Sequence, residues 1–221
     1  TNLVPFMGND SAGRSAMSSR HMSQAISVVG REAPLVQVEA GGGRSFEEIV
    51  GSNFLAHKSP VNGTVTAVRR DGISIKDSAG KLHEVSLYHH YPTNDQKGQL
   101  HSTASVRPGD TVKAGQLVAE NNYTKGGRLA LGTNLRTAYL ADGFNHEDGL
   151  TISESGAKKL ASEHLYKPEL QVTDDHIINK RSFLIDKPAA FHPDRLKNIG
   201  DDGVVKPGTK VSPGDPLILA L

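Results

Sequence analysis

Apolar and polar positions alternate most cleanly between residues 63 and 87. Three short runs carry the alternation, Gly63 to Val68, Gly72 to Lys76 and Lys81 to Leu87. Arg70-Asp71-Gly72 and Asp77-Ser78-Ala79-Gly80 separate them with turn residues. A period of two broken by such turns predicts an antiparallel meander. Near the N-terminus the pattern changes to a helical one. Asn9 or Asp10 can cap a helix running to about Ile26. On it Ala12, Ala16 and Ser19 share one side, and Arg14, Met17, His21 and Gln24 share another. So few large aliphatics predict close packing against something other than an ordinary core.

Glu32 to Val38 reads as a strand that Pro34 confines to an edge or a strand start. Gly41-Gly42-Gly43 lacks the Lys-Ser/Thr ending of a phosphate loop and reads as a linker or turn. Arg136 to Leu140 is strand-like. Ser153 is a candidate cap for a helix to about His164, weakened by Gly156. Pro168, Pro188 and Pro193 break an irregular stretch over 165–200.

One pattern occurs twice. Val106-Arg107-Pro108-Gly109-Asp110-Thr111-Val112-Lys113-Ala114-Gly115 matches Val205-Lys206-Pro207-Gly208-Thr209-Lys210-Val211-Ser212-Pro213-Gly214. Each copy has a Pro-Gly turn, a Val three residues later, a second Gly turn, and then a strand start. This predicts a hammerhead-like corner in a small β-barrel or barrel-sandwich unit, an architectural role.

Composition narrows the picture. The 221 residues suffice for one large domain or two small ones. With 25 basic and 24 acidic residues the chain lacks a global basic footprint, so any nucleic-acid contact is local or shared with other chains. The absence of Cys removes disulfides and thiolate metal sites and favours a reducing compartment. No apolar run reaches a membrane span and no signal peptide is visible, so no membrane partner is expected. The start at Thr1 and the apolar run 217–221 lead to the expectation of a piece of a larger protein or one half of a split one.

Candidate chemistry centres on Gly143-Phe144-Asn145-His146-Glu147-Asp148-Gly149-Leu150. Adjacent acids resist burial unless paired or holding a metal, and otherwise form a solvated turn. They suit a hard cation such as Mg2+, which takes carboxylates together with substrate phosphates. The ten His give no comparable pattern. His89 and His90, if in a strand, point to opposite faces and do not easily share an ion, and no His-Glu-x-x-His occurs. The absence of a Gly-x-Ser-x-Gly elbow and of Cys leaves a serine or thiol hydrolase unsupported. The repeated corner is similar to that of biotinyl and lipoyl carrier domains. Those domains attach their cofactor to a Lys in a Met-Lys-Met or Asp-Lys-type hairpin; no Met-Lys-Met occurs and the carrier reading leaves residues 1–50 and 121–165 without purpose, so a carrier or a non-catalytic structural module is kept only as the alternative.

Several landmarks stand in one order. Asn2-Leu3-Val4-Pro5-Phe6 precedes Asn9-Asp10 and then Arg14-Ser15-Ala16-Met17-Ser18-Ser19-Arg20-His21-Met22-Ser23-Gln24-Ala25. Glu32-Ala33-Pro34-Leu35-Val36 follows. Leu129-Ala130-Leu131-Gly132-Thr133-Asn134-Leu135-Arg136-Thr137-Ala138 and the Gly143 to Asp148 run lie far downstream. The series resembles the β subunit of multisubunit, bacterial-type DNA-directed RNA polymerase, best over residues 1–38 and 94–155. Each motif alone is moderately specific; five in order are strongly so.

The resemblance implies a mainly β, α+β fold: part of a double-psi β-barrel with a barrel-sandwich hybrid insertion and short helices. It implies an active-site helix and first barrel strands over 1–55, the insertion over 56–128, and barrel strands with the acidic turn and a helix over 129–165. An irregular segment and second corner would occupy 166–221. It places Glu147 and Asp148 beside the second, nucleotide-bound Mg2+, with Asp148 the nearer through water. Arg14 would face the incoming triphosphate, Met17 would line the same cavity, and Gln24 would lie near the RNA 3′ end. Phe144 and Asn145 would position the acids. The implied partners are a β′-type subunit, the remaining β segments, DNA template, RNA product and nucleoside triphosphates (NTPs). The implied activity is nucleotidyl transfer by the complex, the chain alone being inactive. The implied location is the bacterial cytoplasm, or the host cytoplasm or virion for a phage-encoded version.

The sequence departs from the family at Ser19-Arg20, where a small residue and Asn are usual. It departs at Ser23, where Arg is usual, and at Gly149, where Ala or Ser is usual. The family's downstream lysine motifs are absent. These departures make a divergent, split or phage-encoded polymerase credible beside a fragment of a cellular β subunit.

Overall fold

The computed structural model describes residues 2–4, 6–93, 98–140, 143 and 149–221. The chain forms two compact units, Thr1–Tyr166 and Lys167–Leu221. In the first, α1 is Ala12–Ser23, and α2, Phe46–Val50, continues into a wider π turn, Gly51–Leu55. Strands β1 (His57–Lys58), β2 (Gly63–Val68), β3 (Gly72–Asp77) and β4 (Leu82–Ser86) follow. Next come β5 (Tyr91–Pro92), β6 (Gln99–Leu100), β7 (Ser102–Ala104) and β8 (Thr111–Val112). Then come β9 (Leu117–Asn121), β10 (Thr124–Lys125), β11 (Arg128–Leu129) and α3 (Glu154–Lys159).

The meander forms as its alternation predicts. The main sheet has the order β4-β3-β2-β8, antiparallel throughout, with Val65 opposite Ile75. A smaller sheet has the order β1-β9-β7, and β5-β6 and β10-β11 are two-stranded ribbons. The two sheets bury one apolar cluster, with Val65, Ile73, Ile75, Val112, Val118 and Ala119 at its centre. Between Ile73 and Ile75, Ser74 points the other way. There Arg69 Nη1 donates to Ser74 Oγ at 2.7 Å, and Ser74 Oγ donates to Glu84 Oε1 at 2.7 Å. The strand is therefore satisfied on both faces, by apolar packing on one and by a charge-assisted chain on the other.

Both copies of the repeated corner adopt the same turns. Gly109 and Gly115 have φ of 96° and 78°, and Gly208 and Gly214 have 82° and 86°. These are left-handed values that a side chain resists. Gln116 closes the second turn of its copy on the Lys113 N–H at 3.0 Å, and Asp215 does the same for Ser212 at 2.8 Å. The architectural reading of the repeat stands. In the second unit α4 (Lys180–Asp186) and a 3-10 turn, Pro193–Leu196, pack over the second corner. Phe183, Leu196, Ile199 and Leu219 form its core.

The structure corrects several sequence expectations. The first helix is shorter than 10–26 and its cap is Ser11. Asp10 spends its carboxylate on the Ser11 N–H at 2.8 Å, while Ser11 Oγ accepts from Arg14 N. The second helix has the expected Ser153 cap, with Gly156 N donating to Ser153 Oγ at 3.1 Å, but it ends at Lys159 because Ser162 pairs with Val28. Arg136–Leu140 forms no strand, and 32–38 holds a single bridge, Glu32 to Gly132. Helices α2 and α4, each announced by a cap at Ser45 and Asn179, were not expected. The architecture is α+β with small antiparallel sheets, and among the described residues no sheet closes into a barrel.

Candidate functional site

The site is built outward from α1. Its inward face is small and polar, with Ser15 buried and Ser18, Ser19 and Met22 half-buried. Its outward face is Arg14, Met17, His21 and Gln24, all exposed, with Met17 at 48%. The helix holds basic Arg14 and Arg20 and no acid. Among the described residues no hydrogen bond or ion pair engages the Arg14 guanidinium. A cationic face without local partners is suited to a polyanion.

The chain leaving α1 is fixed by polar contacts to the turn between β9 and β10. Tyr123 Oη donates to Ala25 O at 3.2 Å, and Asn122 Nδ2 donates to Ser27 Oγ at 3.0 Å. Arg31 donates to Thr124 O at 2.8 Å through Nε and to Asn121 O at 3.0 Å through Nη2. Asn121, Asn122 and Thr124 are almost completely buried, so these contacts are shielded from competing water.

A second contact joins two of the sequence landmarks. Glu32 Oε2 accepts from the Asn134 backbone N–H and from Asn134 Nδ2, each at 3.0 Å, and Glu32 Oε1 pairs with Lys159 Nζ at 3.0 Å. Asn134 Nδ2 also donates to Ala33 O at 3.0 Å, and Glu32 N donates to Gly132 O at 2.8 Å. The Asn134 N–H first, then the Lys159 ammonium, hold the Glu32 carboxyl down to about 2. Thus the Glu32 to Val36 and Ala130 to Asn134 segments lie side by side, with α3 locked to both. Beside them a cleft of about 260 Å³ is lined by Leu3, Met22, Pro34, Val36, Leu129 and Leu131. It links the inward face of α1 to both segments.

Of the expected site residues, the structure places Arg14, Met17 and Gln24 together on one exposed helical face. Phe144, Asn145, Glu147 and Asp148 lie outside the described residues. Sequence reasoning missed Glu32, Asn134 and Lys159 as a clamp, and Asn122 as the hub beneath the helix exit. Glu32 and Asn134 each stood inside a quoted motif, but nothing in one chain's spacing says that they touch.

Residues 56–221 match the family described as RNA polymerase Rpb2, domain 6. The chain belongs to this family. It is 33% identical over 223 residues to the DNA-directed RNA polymerase subunit beta of Rubrobacter xylanophilus. It is 32% identical over 226 residues to that of Syntrophotalea carbinolica, and 31% over 230 to that of Deinococcus radiodurans. These alignments cover 98–99% of this chain but only 16–19% of the relatives, so the chain spans under a fifth of their length. The Rpb2 domain 6 match includes both sheets of the first unit and the whole second unit, while α1 lies before it. Among the described residues no helix is long and apolar enough to cross a membrane.

Proposed function

We propose that this chain is part of the β-type subunit of a DNA-directed RNA polymerase, and that α1 presents Arg14, Met17 and Gln24 to the incoming NTP and the RNA 3′ end. The observation that carries this reading is the exposed, cationic face of α1, anchored at its exit and with Arg14 unengaged among the described residues. A guanidinium suits phosphate because it grips two oxygens with parallel hydrogen bonds and neutralises charge that grows in the transition state.

Glu147 and Asp148 are a donor set of two carboxylates, chemistry that would suit Mg2+. When bound, the ion neutralises charge on the transferring and leaving phosphate oxygens. On this reading Asp148 and Glu147 would hold it indirectly, Asn145 would position these acids, and Arg14 would steady the leaving pyrophosphate. The segments 28–55 and 130–155 would be one half of a double-psi β-barrel, with 56–128 as a barrel-sandwich hybrid insertion. The clamp between Glu32 and Asn134 supports that pairing. Exposed Leu35, Tyr139, Leu140 and Leu150 support burial against a β′-type subunit or other β segments. DNA template and RNA product would then pass the outward face of α1.

Replacing Arg14 by Ala in the assembled polymerase tests the proposal. The expected result is a raised KM for NTP and a loss of about 100–1,000-fold in kcat/KM, the usual cost of one electrostatic stabiliser. Unchanged nucleotide kinetics would remove Arg14 from the substrate site.

A further inference from the structure

We propose that His89, His90 and His101 form a binding site for a divalent transition-metal ion of the zinc class, separate from the magnesium chemistry of the acidic turn. Sequence alone argued against it, because neighbours in a strand face opposite ways. The backbone is not a strand there: His90 has φ 47°, in the left-handed region that a residue with Cβ rarely adopts. This twist turns both rings to one side. Pairing on either flank then brings His101 opposite. Ser102 N donates to Tyr88 O at 2.8 Å, and Tyr91 pairs with Leu100 in the β5-β6 ribbon.

The three side chains each offer a ring nitrogen, all within 4.8 Å of one another. The His90 and His101 rings are 4.2 Å apart, and His89 lies 4.5 Å and 5.4 Å from them, centre to centre. A tetrahedral zinc with bonds of about 2.1 Å needs ligand nitrogens about 3.4 Å apart, so loading draws the nitrogens together and turns the stacked His90 and His101 rings, 15° from parallel, edge-on to the ion. His89 Nδ1 and His101 Nδ1 are buried and have no hydrogen-bond partner among the described residues. Buried ring nitrogens in a folded protein are normally partnered, and a metal ion is one way to satisfy them. His90 is prepared differently. Its Nδ1 lies 2.7 Å from Oε1 of the buried Gln99. An Nδ1–H donating there fixes the tautomer and leaves Nε2 free, the usual orienting contact behind a metal-bound imidazole.

Three imidazoles without carboxylate or thiolate suit Zn2+, Cu2+, Ni2+ or Co2+ and not Mg2+. The exposed side at His90 leaves the fourth position to solvent. A bound ion would pin this loop to Asn122, whose Oδ1 accepts from His101 N at 3.0 Å, and so brace the hub that holds the exit of α1.

The test is metal binding by the full protein after chelation. Zn2+ is titrated by calorimetry, and Co2+ is added as the absorbing probe. The expected result is one equivalent of Zn2+ and an intense tetrahedral Co2+ spectrum, both lost in His89→Gln and in His101→Gln. Gln99→Leu should weaken binding about 10–100-fold, as loss of an orienting partner does. Circular dichroism without metal checks that each variant folds, and the exposed His90→Gln carries the test if a buried substitution does not fold. Variants that bind as many equivalents as the wild type, or a wild type that takes up no Zn2+, overturn the site.

Discussion

Glu32 is half-exposed, yet it accepts three hydrogen bonds from groups far away in sequence. Its carboxyl is held down to about 2 from an ordinary 4.5. A depressed carboxylate stabilises the fold fully above its unfolded value and loses that contribution as protons bind. The window for Glu32 therefore runs from pH 4.5 down to about 2. Acid unfolding followed by circular dichroism should show a component in that window which Glu32→Gln removes, with the variant less stable at neutral pH. Matching acid profiles for the two proteins would show that the clamp contributes nothing. The His triad shows why some residue-scale features were hidden in the sequence. Side chains alternate faces only along extended backbone, and a positive φ at a non-glycine leaves no signature in composition.

The elements followed from sequence where their signal was periodic. The meander, both corners and the Ser153 cap were legible because alternation, Pro-Gly turns and cap chemistry are local. Helices α2 and α4, of five and seven residues, are too short to show a period, and their caps are their main sequence mark. Residues 136–140 form no strand despite their pattern because β-favouring residues need a partner strand to form a ladder. What positions α1 is a polar hub that no periodicity reveals. Asn122 donates to Ser27 Oγ and Gln99 O and accepts from His101 N, all while buried. Asn122→Ala should destabilise the first unit by about 1–3 kcal/mol for each buried group left unpaired. Hydrogen exchange should then speed up at residues 25–31 more than in β3. Uniform exchange across the unit would show that the hub does not hold the helix exit.

At the scale of the whole molecule, the chain is two units; residues 56–221 match the Rpb2 domain 6 family, and the first unit also carries α1 with its exposed cationic face. The ordered motifs made the family legible. The meeting of Glu32 with Asn134 then joined two of those motifs in space. The acids at 147 and 148 are an expectation from sequence and lie outside the described residues, so their distance from Arg14 is the decisive quantity. The most direct measurement is a structure of the assembled polymerase stalled with template, RNA and a non-hydrolysable NTP. The Arg14 guanidinium is expected within hydrogen-bond distance of a triphosphate oxygen, about 3 Å, with Asp148 facing the same nucleotide's metal. Arg14 turned away from the triphosphate, or held in an ion pair elsewhere in the complex, would contradict it.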